Sequence, residues 1–379
     1  MKHHQYNPTF KFIKEPVVFN KYTDINLLKY CLGATLYMPA TKEIINKIVN
    51  KNLTGLTTMV MCFEDAIAES DLKKAEENVI YHLDIITESI NAGEITLNDI
   101  PLIFLRTRNT EQFQIFSNKL KPDHVKVLAG FVFPKVDKQN LLEYFMILKS
   151  LNEKYNDILY GMPILEGINI ALNETRSLEL IDIKSILDLY RNLVLNIRVG
   201  SNDLSSIFGV RRGINYSIYD ILPIRDCMAD ILNVFNRVGE EYIISAPVWE
   251  YFLADNKGNI NRLLGDDIHA SLLKRSPIVN EAIDGLLREV ILDKANGFVG
   301  KTIIHPSHLN YVNAMQAVTL EEYNDANQVV QLVGGAVKGS NNKMNEASPH
   351  KNWAKKIIMR AEAYGVVENG ASYFKLFFS

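Results

Sequence analysis

Charged side chains in this chain repeatedly follow short apolar runs. They are Glu64, Asp65, Arg106, Arg108, Lys135, Glu166, Asp203 and His305. Carboxylate oxygens are hard ligands that suit Mg²⁺, which takes one or two of them and leaves its other positions to water and substrate oxygens. Glu166 and Asp203 meet that need, because each closes an apolar run beside small or polar residues. We take this pair as the candidate metal ligands, against the plain alternative of loop caps or surface salt bridges.

An arginine beside such a pair has a further use. Arg106 presents a planar fork of donors that can hold a carboxylate or an enolate oxygen by paired hydrogen bonds. A metal that polarises a carbonyl next to this cation suits a 2-oxo acid or an acyl thioester that passes through an enolate. Arg108 shares the face of Arg106 by strand alternation, and its alternative role is to pair with a carboxylate in the loop. We assign Arg106 to catalysis and substrate binding, and Arg108 to substrate binding.

The other polar residues keep two interpretations each. Glu64 and Asp65 either take part in catalysis or cap the helix that follows them. Lys135 and His305 are candidate substrate-binding residues, against a solvated rim lysine and a hydrogen-bonded structural histidine. Pro247, at the close of another apolar run, is counted with the substrate-binding residues.

Eight apolar runs must position these side chains. The runs are Leu32–Tyr37, Thr57–Phe63, Leu102–Leu105, Phe131–Phe133, Met162–Leu165, Val194–Val199, Tyr242–Ser245 and Thr302–Ile304. Runs that are buried on both faces and separated by helical patterns indicate parallel strands with crossover helices. Eight such units close a (β/α)₈ TIM barrel, in which chemistry lies where the strands end. The sequence therefore predicts an α/β TIM barrel with its site at one rim.

The composition changes after the eighth run. A glycine-rich stretch, 334–342, separates a helical pattern at about Leu320–Val333 from another that begins at Ser348-Pro349. The apolar tail Tyr373–Phe378 is expected to pack on its own barrel or on a neighbouring subunit. We predict a catalytic barrel domain over 1–316 and a C-terminal helical lid and oligomerisation extension over 317–379. Residues 266–295 are predicted to hold two helices, broken near Ser276-Pro277.

Bulk composition limits the classes of protein. The 379 residues are 47% hydrophobic and 22% charged, with a net charge of −3 and no basic run, so nucleic acid is not an expected partner. Cys31, Cys62 and Cys227 show no metal or redox spacing and fit a reducing compartment. No stretch approaches the ~18 apolar residues that cross a bilayer, and no signal core follows the N-terminus. A cytoplasmic protein with no membrane partner is expected.

Several motifs in order resemble the citrate lyase beta subunit group, within the wider family of malyl-CoA lyases and metal-dependent 2-oxo-acid aldolases. They are Leu36–Pro39, Phe63–Ala66, Leu105–Asn109, Gly130–Val136, Pro163–Glu166, Gly200–Leu204 and Gly297–Ser307. The resemblance covers about residues 30–365. It implies a Mg²⁺-bearing barrel, trimeric or hexameric, that makes or breaks a carbon–carbon bond next to a carbonyl.

The resemblance also implies roles for single residues. Glu166 and Asp203 would hold the metal, and Arg106 the substrate's oxyanion or carboxylate. Glu64 and Asp65 would support the waters on the metal. In CoA-using members, a C-terminal lid carries an acidic residue in a motif of the form Lys-Met-x-Asp-x-Pro-His.

The stretch 343–350 of this chain resembles that lid motif, with one extra residue and Glu346 in the place of Asp. Glu346 is thus the candidate acid or base on an acyl methyl group, and in relatives this residue reaches a neighbouring subunit's site. The chain departs from the family at Cys62, where members commonly carry Asp, and at Trp249–Phe252, which is unlike typical members.

The predicted function is a Mg²⁺-dependent carbon–carbon lyase or aldolase that forms a homo-oligomer. Its substrate would be a short 2-oxo acid or a hydroxyacyl-CoA, which reacts through an enolate. The alternative is a non-catalytic or weakly catalytic ligand-binding barrel that works within a stress-resistance assembly, motivated by Cys62 and the altered lid. A phosphate-binding barrel enzyme is disfavoured, because no glycine-rich phosphate loop follows the seventh or eighth run.

Overall fold

Eight parallel strands form the centre of the protein. The computed structural model describes residues 1–252, 279–332, 335–339 and 344–378. The strands are β1 Ala34–Pro39, β2 Thr58–Cys62, β3 Leu102–Arg106, β4 Leu128–Phe133, β5 Tyr160–Leu165, β6 Ile197–Val199, β7 Ile244–Ser245 and β8 Lys301–Ile303. Each overlaps one predicted run, and each lies beside its neighbours in chain order, with β8 next to β1. The predicted TIM barrel is confirmed.

The barrel closes through a short junction between β7 and β8. The backbone N–H of Ala246 donates to the carbonyl of Gly300, and that of Thr302 donates to the carbonyl of Ala246, both at 3.1 Å. The β1–β2 pair, by contrast, stays in register over five residue pairs. Because all eight strands are parallel, the residues that follow them meet at one rim.

Helices surround and extend the barrel. They are α1 Ile25–Leu28, α2 Ile45–Val49, α3 Leu72–Asn91, α4 Thr110–Ser117, α5 Pro122–Val127, α6 Asn140–Tyr155, α7 Ile168–Ala171, α8 Asn173–Leu189, α9 Ser201–Ile207, α10 Leu222–Phe235, α11 Glu281–Ala295, α12 Leu309–Gln316, α13 Leu320–Gln331, α14 Ala347–Tyr364 and α15 Ser372–Phe377. Short 3₁₀ turns are Glu69–Asp71, Arg191–Leu193, Ile218–Asp220 and Pro306–His308. Of the two helices predicted over 266–295, α11 is the second, and the first falls outside the described residues. None of the described helices is long and apolar enough to cross a membrane.

Amphipathic spacing explains the crossover helices. In α3, Ala75, Val79, Leu83 and Ile86 recur every three or four residues and are all buried. That spacing places them on one stripe of the helix, which packs against the strands. The predicted helical pattern after the second strand is thereby explained.

The C-terminal residues build a second, smaller core. Val318, Ala326, Val329 and Ile357 pack together where α13 meets α14. Two short pairings frame this core: β9 (Val318–Thr319) with β12 (Val366–Val367) in parallel, and β10 (Ala336–Lys338) with β11 (Met344–Glu346) in antiparallel fashion.

The apolar tail packs on its own barrel. In α15, Tyr373, Phe374 and Phe377 belong to the main hydrophobic core, and the Phe377 ring lies 4.9 Å from the ring of Tyr311 in α12. This burial accounts for an apolar C-terminus. The division into a catalytic barrel over 1–316 and a lid over 317–379 stays a prediction.

Candidate active site

A cavity of about 410 Å³ opens at the rim where the strands end. Four of the site residues predicted from the sequence line it: Asp65, Arg106, Glu166 and Asp203. They come from the ends of four different strands, β2, β3, β5 and β6. The parallel barrel therefore brings together side chains that are far apart in the sequence.

Glu166 is held by one of its carboxylate oxygens. Its Oε1 accepts hydrogen bonds from the backbone N–H of Lys135 at 3.0 Å and from Nη2 of Arg106 at 3.1 Å. Its Oε2 lies against Gly200, where a Cβ atom would stand 1.9 Å away. Gly200 therefore has to be a glycine for the carboxylate of Glu166 to occupy this position. The two residues are cross-strand neighbours, since β5 pairs with β6 through Leu165 and Val199.

The two candidate metal ligands lie together. Asp203 is in the first turn of α9, directly after β6, and its carboxyl lies close enough to Glu166 to affect the pKa of that group. Burial raises the pKa of Glu166 to about 8, and the charge of Asp203 adds to this rise although Arg106 opposes it. Two carboxylates in contact need a proton or a cation between them. Metal ligation by this pair stays a prediction.

Arg106 is the central cation of the cluster. Its Nη2 lies 2.7 Å from Glu64, 3.1 Å from Glu166 and 3.2 Å from Asp65. Burial acts to lower the pKa of Arg106, but the neighbouring charges, Glu166 first, raise it overall. The buried Nε of Arg106 has no hydrogen-bond partner among the described residues. One donor of this guanidinium is therefore left for a ligand.

Lys135 links the outer carboxylates. It follows β4 with a left-handed backbone, φ 47°, and its Nζ lies 2.6 Å from Glu64, 3.0 Å from Asp65 and 3.7 Å from Asp203. Burial raises the pKa of Glu64. Burial also acts to raise the pKa of Asp65, but hydrogen bonds with Glu64 and Lys135 lower it overall. These two carboxyls thus differ in proton affinity although they are adjacent in sequence.

Arg108 has other partners. Its Nε donates to the carbonyl of Phe63 at 3.2 Å, its Nη2 to the carbonyl of Ile67 at 2.6 Å, and its Nη1 pairs with Glu69 at 2.9 Å. These contacts fasten the loop after β2. Arg108 thus pairs with a loop carboxylate, as in the alternative interpretation of this residue. Arg108 is not among the residues that line the cavity, and its role in substrate binding stays a prediction.

Three further predicted residues lie outside the cavity lining. The rings of His305 and Phe252 are stacked, with their centres 4.6 Å apart, and Nδ1 of His305 is hydrogen-bonded to the hydroxyl of Ser307. Burial lowers the pKa of His305. Pro247 is buried just after β7. Glu346 is exposed at the end of β11. Their catalytic or binding roles stay predictions.

One charged residue of the cavity lining was missed by the sequence analysis. Arg198 lies within β6, is only 1% exposed and lines the cavity. The run Val194–Val199 reads as apolar, so its single arginine was passed over. The available signal was a permanent charge in the middle of a strand predicted to be buried on both faces.

The donor set determines which metal this rim can take. No group of three or more His, Cys, Asp or Glu suited to an ion occurs in the described part of the chain. Glu166 and Asp203 offer carboxylate oxygens only, Gly200 leaves room at Oε2, and the adjoining cavity has space for water and substrate oxygens. This set fits Mg²⁺, which needs few protein ligands, and not zinc, which takes three or four nitrogen, sulfur or carboxylate ligands.

Several solved structures are similar to this chain. The protein CitE from Mycobacterium tuberculosis, in complex with magnesium, acetoacetate and coenzyme A, is 15% identical and gives a TM-score of 0.52 over 88% of this chain and 99% of its own. A citrate lyase beta subunit from M. tuberculosis with oxaloacetate and magnesium is 15% identical, with a TM-score of 0.43 over 74% and 95%. A Haloferax volcanii malate synthase magnesium/glyoxylate complex is 13% identical, with a TM-score of 0.49 over 73% and 72%. At 15% identity, the likeness to the CitE complex shows the fold alone. No curated protein sequence matches the chain.

Membership of a family follows from the sequence as a whole. The model of a family described as C–C bond lyases of the TIM-barrel fold matches residues 26–366. That span contains all eight strands and every residue that lines the cavity. The predicted membership of a citrate lyase-like family is confirmed, and the chain belongs to the C–C bond lyases of the TIM-barrel fold.

Proposed function

We propose that this protein is a Mg²⁺-dependent carbon–carbon lyase or aldolase that acts on a short 2-oxo acid or a hydroxyacyl-CoA through an enolate. One observation carries the proposal: Glu166 and Asp203 meet beside Arg106 at the mouth of the cavity. Family membership supports the reaction class. The magnesium and coenzyme A in the M. tuberculosis CitE complex support the choice of metal and the thioester as an alternative substrate.

We assign separate tasks to the members of the cavity cluster, which is formed by Glu64, Asp65, Arg106, Lys135, Glu166 and Asp203. Mg²⁺ held by Glu166 and Asp203 would supply Lewis-acid polarisation of the substrate carbonyl. Arg106 lines the cavity, and its Nε–H has no partner in the described part of the chain, so it is the proposed donor for the oxygen on which negative charge develops. Glu64, Asp65 and Lys135 fix the position of Arg106 through the ion pairs described above.

In the cleavage direction, the substrate hydroxyl passes its proton to a water molecule and becomes a carbonyl as the adjacent carbon–carbon bond breaks. The bonding pair moves into the neighbouring carbonyl to form the enolate, and a proton is then added to its carbon. We propose Glu346 as the group that exchanges this proton. It is exposed and does not line the cavity of its own chain, so it would act on a neighbouring subunit of a trimer or hexamer.

The first test is calorimetric titration with Mg²⁺. The wild-type protein should bind Mg²⁺, and Glu166→Gln and Asp203→Asn should each lower the affinity at least about tenfold, since each removes one ionic ligand. Glu174→Gln is the matched control, because Glu174 is exposed on α8, away from the cavity lining. Unchanged Mg²⁺ binding in both ligand variants would overturn the metal assignment.

The second test is turnover. A panel of 3-hydroxy acids and their CoA esters should include a substrate that the wild-type protein cleaves in the presence of Mg²⁺, and Glu346→Gln should lower kcat without lowering Mg²⁺ affinity. Wild-type protein that binds Mg²⁺ and cleaves no member of the panel would favour the alternative of a ligand-binding barrel without turnover.

A further inference from the structure

Arg198 is a buried cation without a counter-ion among the described residues. Its Nη2 donates to the hydroxyl of Thr302 at 2.6 Å, and its Nη1 donates to the hydroxyl of Thr35 at 3.3 Å. Its guanidinium lies 5.4 Å from the centre of the Tyr37 ring. Its Nε has no hydrogen-bond partner, and no carboxylate among the described residues pairs with it. Among the described residues, the recorded partners of its guanidinium are thus neutral: two hydroxyls and an aromatic ring.

The other buried arginines have compensating groups. Arg106, Arg176 and Arg212 each form an ion pair with at least one carboxylate. Arg360 donates to both the backbone and the side-chain oxygens of Gln316 and experiences the charge of Glu322. Arg198 is the exception among these five.

Such a cation is costly in a folded protein. A guanidinium does not lose its proton, so it cannot escape the cost of burial by becoming neutral. Burying a charge without a partner costs several kcal/mol. Burial lowers the pKa of Arg198, and the one nearby group that opposes this is the hydroxyl of Tyr37. A bound anion would remove the penalty.

The cavity leads to this cation. Arg198, Tyr37 and Thr302 all line it. Strand register pairs Arg198 with Ile164, two residues before Glu166, which places Arg198 about 7 Å deeper along the barrel than the carboxylate rim. The hydroxyl of Tyr37 is buried and also lacks a hydrogen-bond partner within the described chain. Two unpaired donors, one of them charged, therefore lie at the floor of the cavity.

We propose that Arg198 and Tyr37 bind a second carboxylate of the substrate at the cavity floor, and that the protein is therefore selective for dicarboxylic 2-oxo acids and their aldol products. This inference rests on the proposed function, because the oxo-acid end of the ligand is placed at Glu166 and Asp203. The guanidinium fork gives paired hydrogen bonds to a carboxylate, and the Tyr37 hydroxyl gives a third. A monocarboxylate would leave both donors unpaired.

The test compares oxaloacetate and 2-oxoglutarate with pyruvate and 2-oxobutyrate in calorimetric titrations with Mg²⁺ present. The wild-type protein should bind the better dicarboxylate at least about tenfold tighter than the monocarboxylates. Arg198→Met should bring that ratio close to one, while Mg²⁺ affinity is retained. Arg225→Met, which removes an exposed arginine, is the matched control and should keep the ratio. Titration with phosphonopyruvate, in which a phosphonate replaces the second carboxylate of oxaloacetate, tests whether the cavity floor binds a phosphorus oxyanion instead of a carboxylate.

Thermal stability provides a second test of the proposed role of Arg198. Without ligand, Arg198→Met should have a higher Tm than the wild type, because an uncompensated buried charge is gone. A purely structural arginine would give a lower Tm. Tyr37→Phe keeps the ring and removes one donor, so it should lower the dicarboxylate preference by a smaller factor, and it covers the case in which Arg198→Met does not fold.

Failure of this inference and failure of the proposed function are separable. If the wild type binds no Mg²⁺, the lyase proposal fails, and succinate against butyrate without metal still tests the floor. A wild-type protein without preference for the diacid, or an Arg198→Met protein with the wild-type preference, would overturn the assignment of Arg198.

Discussion

Two groups of charges in this protein, one mostly buried and one open to a cavity, use the same residue types in different ways. The cavity cluster is Glu64, Asp65, Arg106, Lys135, Glu166 and Asp203. The wall cluster is Arg212, Glu250, Glu289, Asp293 and Lys301, between the outside of the barrel and α11. In the wall cluster, Lys301 lies 3.1 Å from Glu289 and 2.8 Å from Asp293, and Arg212 pairs with both Glu289 and Glu250.

The wall cluster pairs cations with anions in alternation and is closed by neutral groups. Tyr219 donates to Asp293 at 2.8 Å, and the Trp249 ring lies 4.6 Å from the Arg212 guanidinium. The cavity cluster instead places Glu166 beside Asp203 and borders open space. Burial of charge is therefore no mark of a site by itself, whereas like charges in contact beside a cavity are.

The largest expected effect separates the two clusters by stability. Glu289→Gln should lower the free energy of unfolding by about 3 kcal/mol, because it leaves buried cations undercompensated. Glu166→Gln should change it by less than about 1 kcal/mol without Mg²⁺, because it also relieves the contact of two carboxylates. Urea denaturation of both variants measures the difference. Equal losses would mean that the cavity cluster is structural like the other.

Substituting alanine for one glycine beside each cluster tests the same difference between the two clusters. A Cβ at Gly285 in α11 would stand 2.3 Å from the Trp249 ring, and one at Gly200 would stand 1.9 Å from Oε2 of Glu166. Gly285→Ala should cost about 1–3 kcal/mol of stability by overpacking. Gly200→Ala should displace a carboxylate that borders the cavity, so it should weaken Mg²⁺ binding and leave most of the stability intact. Denaturation and Mg²⁺ titration of both proteins give four values. Retained Mg²⁺ affinity in Gly200→Ala would contradict the position assigned to that carboxylate.

The most gradual expected effect is a pH dependence in the wall cluster. Burial raises the pKa of Asp293 from its ordinary 3.8 to about 6, with Glu289 adding to the rise and Lys301 opposing it. The folded state therefore holds this proton more tightly than the unfolded state. That stabilisation is complete below about pH 4 and is lost as the pH rises through about 6, with a slope of at most about 1.4 kcal/mol per pH unit.

The stability of the wild type relative to Asp293→Asn should decline accordingly between pH 4 and 7. Tyr219, Glu289 and Lys301 face the same carboxyl and are present in both proteins, so the difference isolates Asp293. Urea denaturation at several pH values measures it, and a pH-independent difference would show that Asp293 is ionised throughout.

The barrel and its rim could be predicted because both depend on local patterns. Each strand is a short apolar run, and the residue that ends a parallel strand is placed at the rim by the fold alone. This is why Arg106, Glu166 and Asp203 could be selected together. The reach of Lys135 to three carboxylates could not, since it depends on the left-handed backbone that follows β4.

The ion pairs of the wall cluster could not be predicted from local sequence patterns. Glu289 and Asp293 are four residues apart in α11, a spacing typical of an ordinary exposed helix face. Their burial follows from the approach of Lys301, which points outward from β8 because its neighbour Thr302 points inward. Arg198 was missed for a related reason: hydrophobic averaging over a run conceals one charged member.

Thr302, which faces inward at the junction between β7 and β8, forms two structurally important hydrogen bonds. The backbone of Thr302 makes one of the few hydrogen bonds that close the barrel, while its hydroxyl holds the Arg198 guanidinium. If Arg198 binds a carboxylate as proposed, the ligand would contact a guanidinium that is joined through Thr302 to the hydrogen bonds between β7 and β8. Ligand binding would then also stabilise the closure of the barrel.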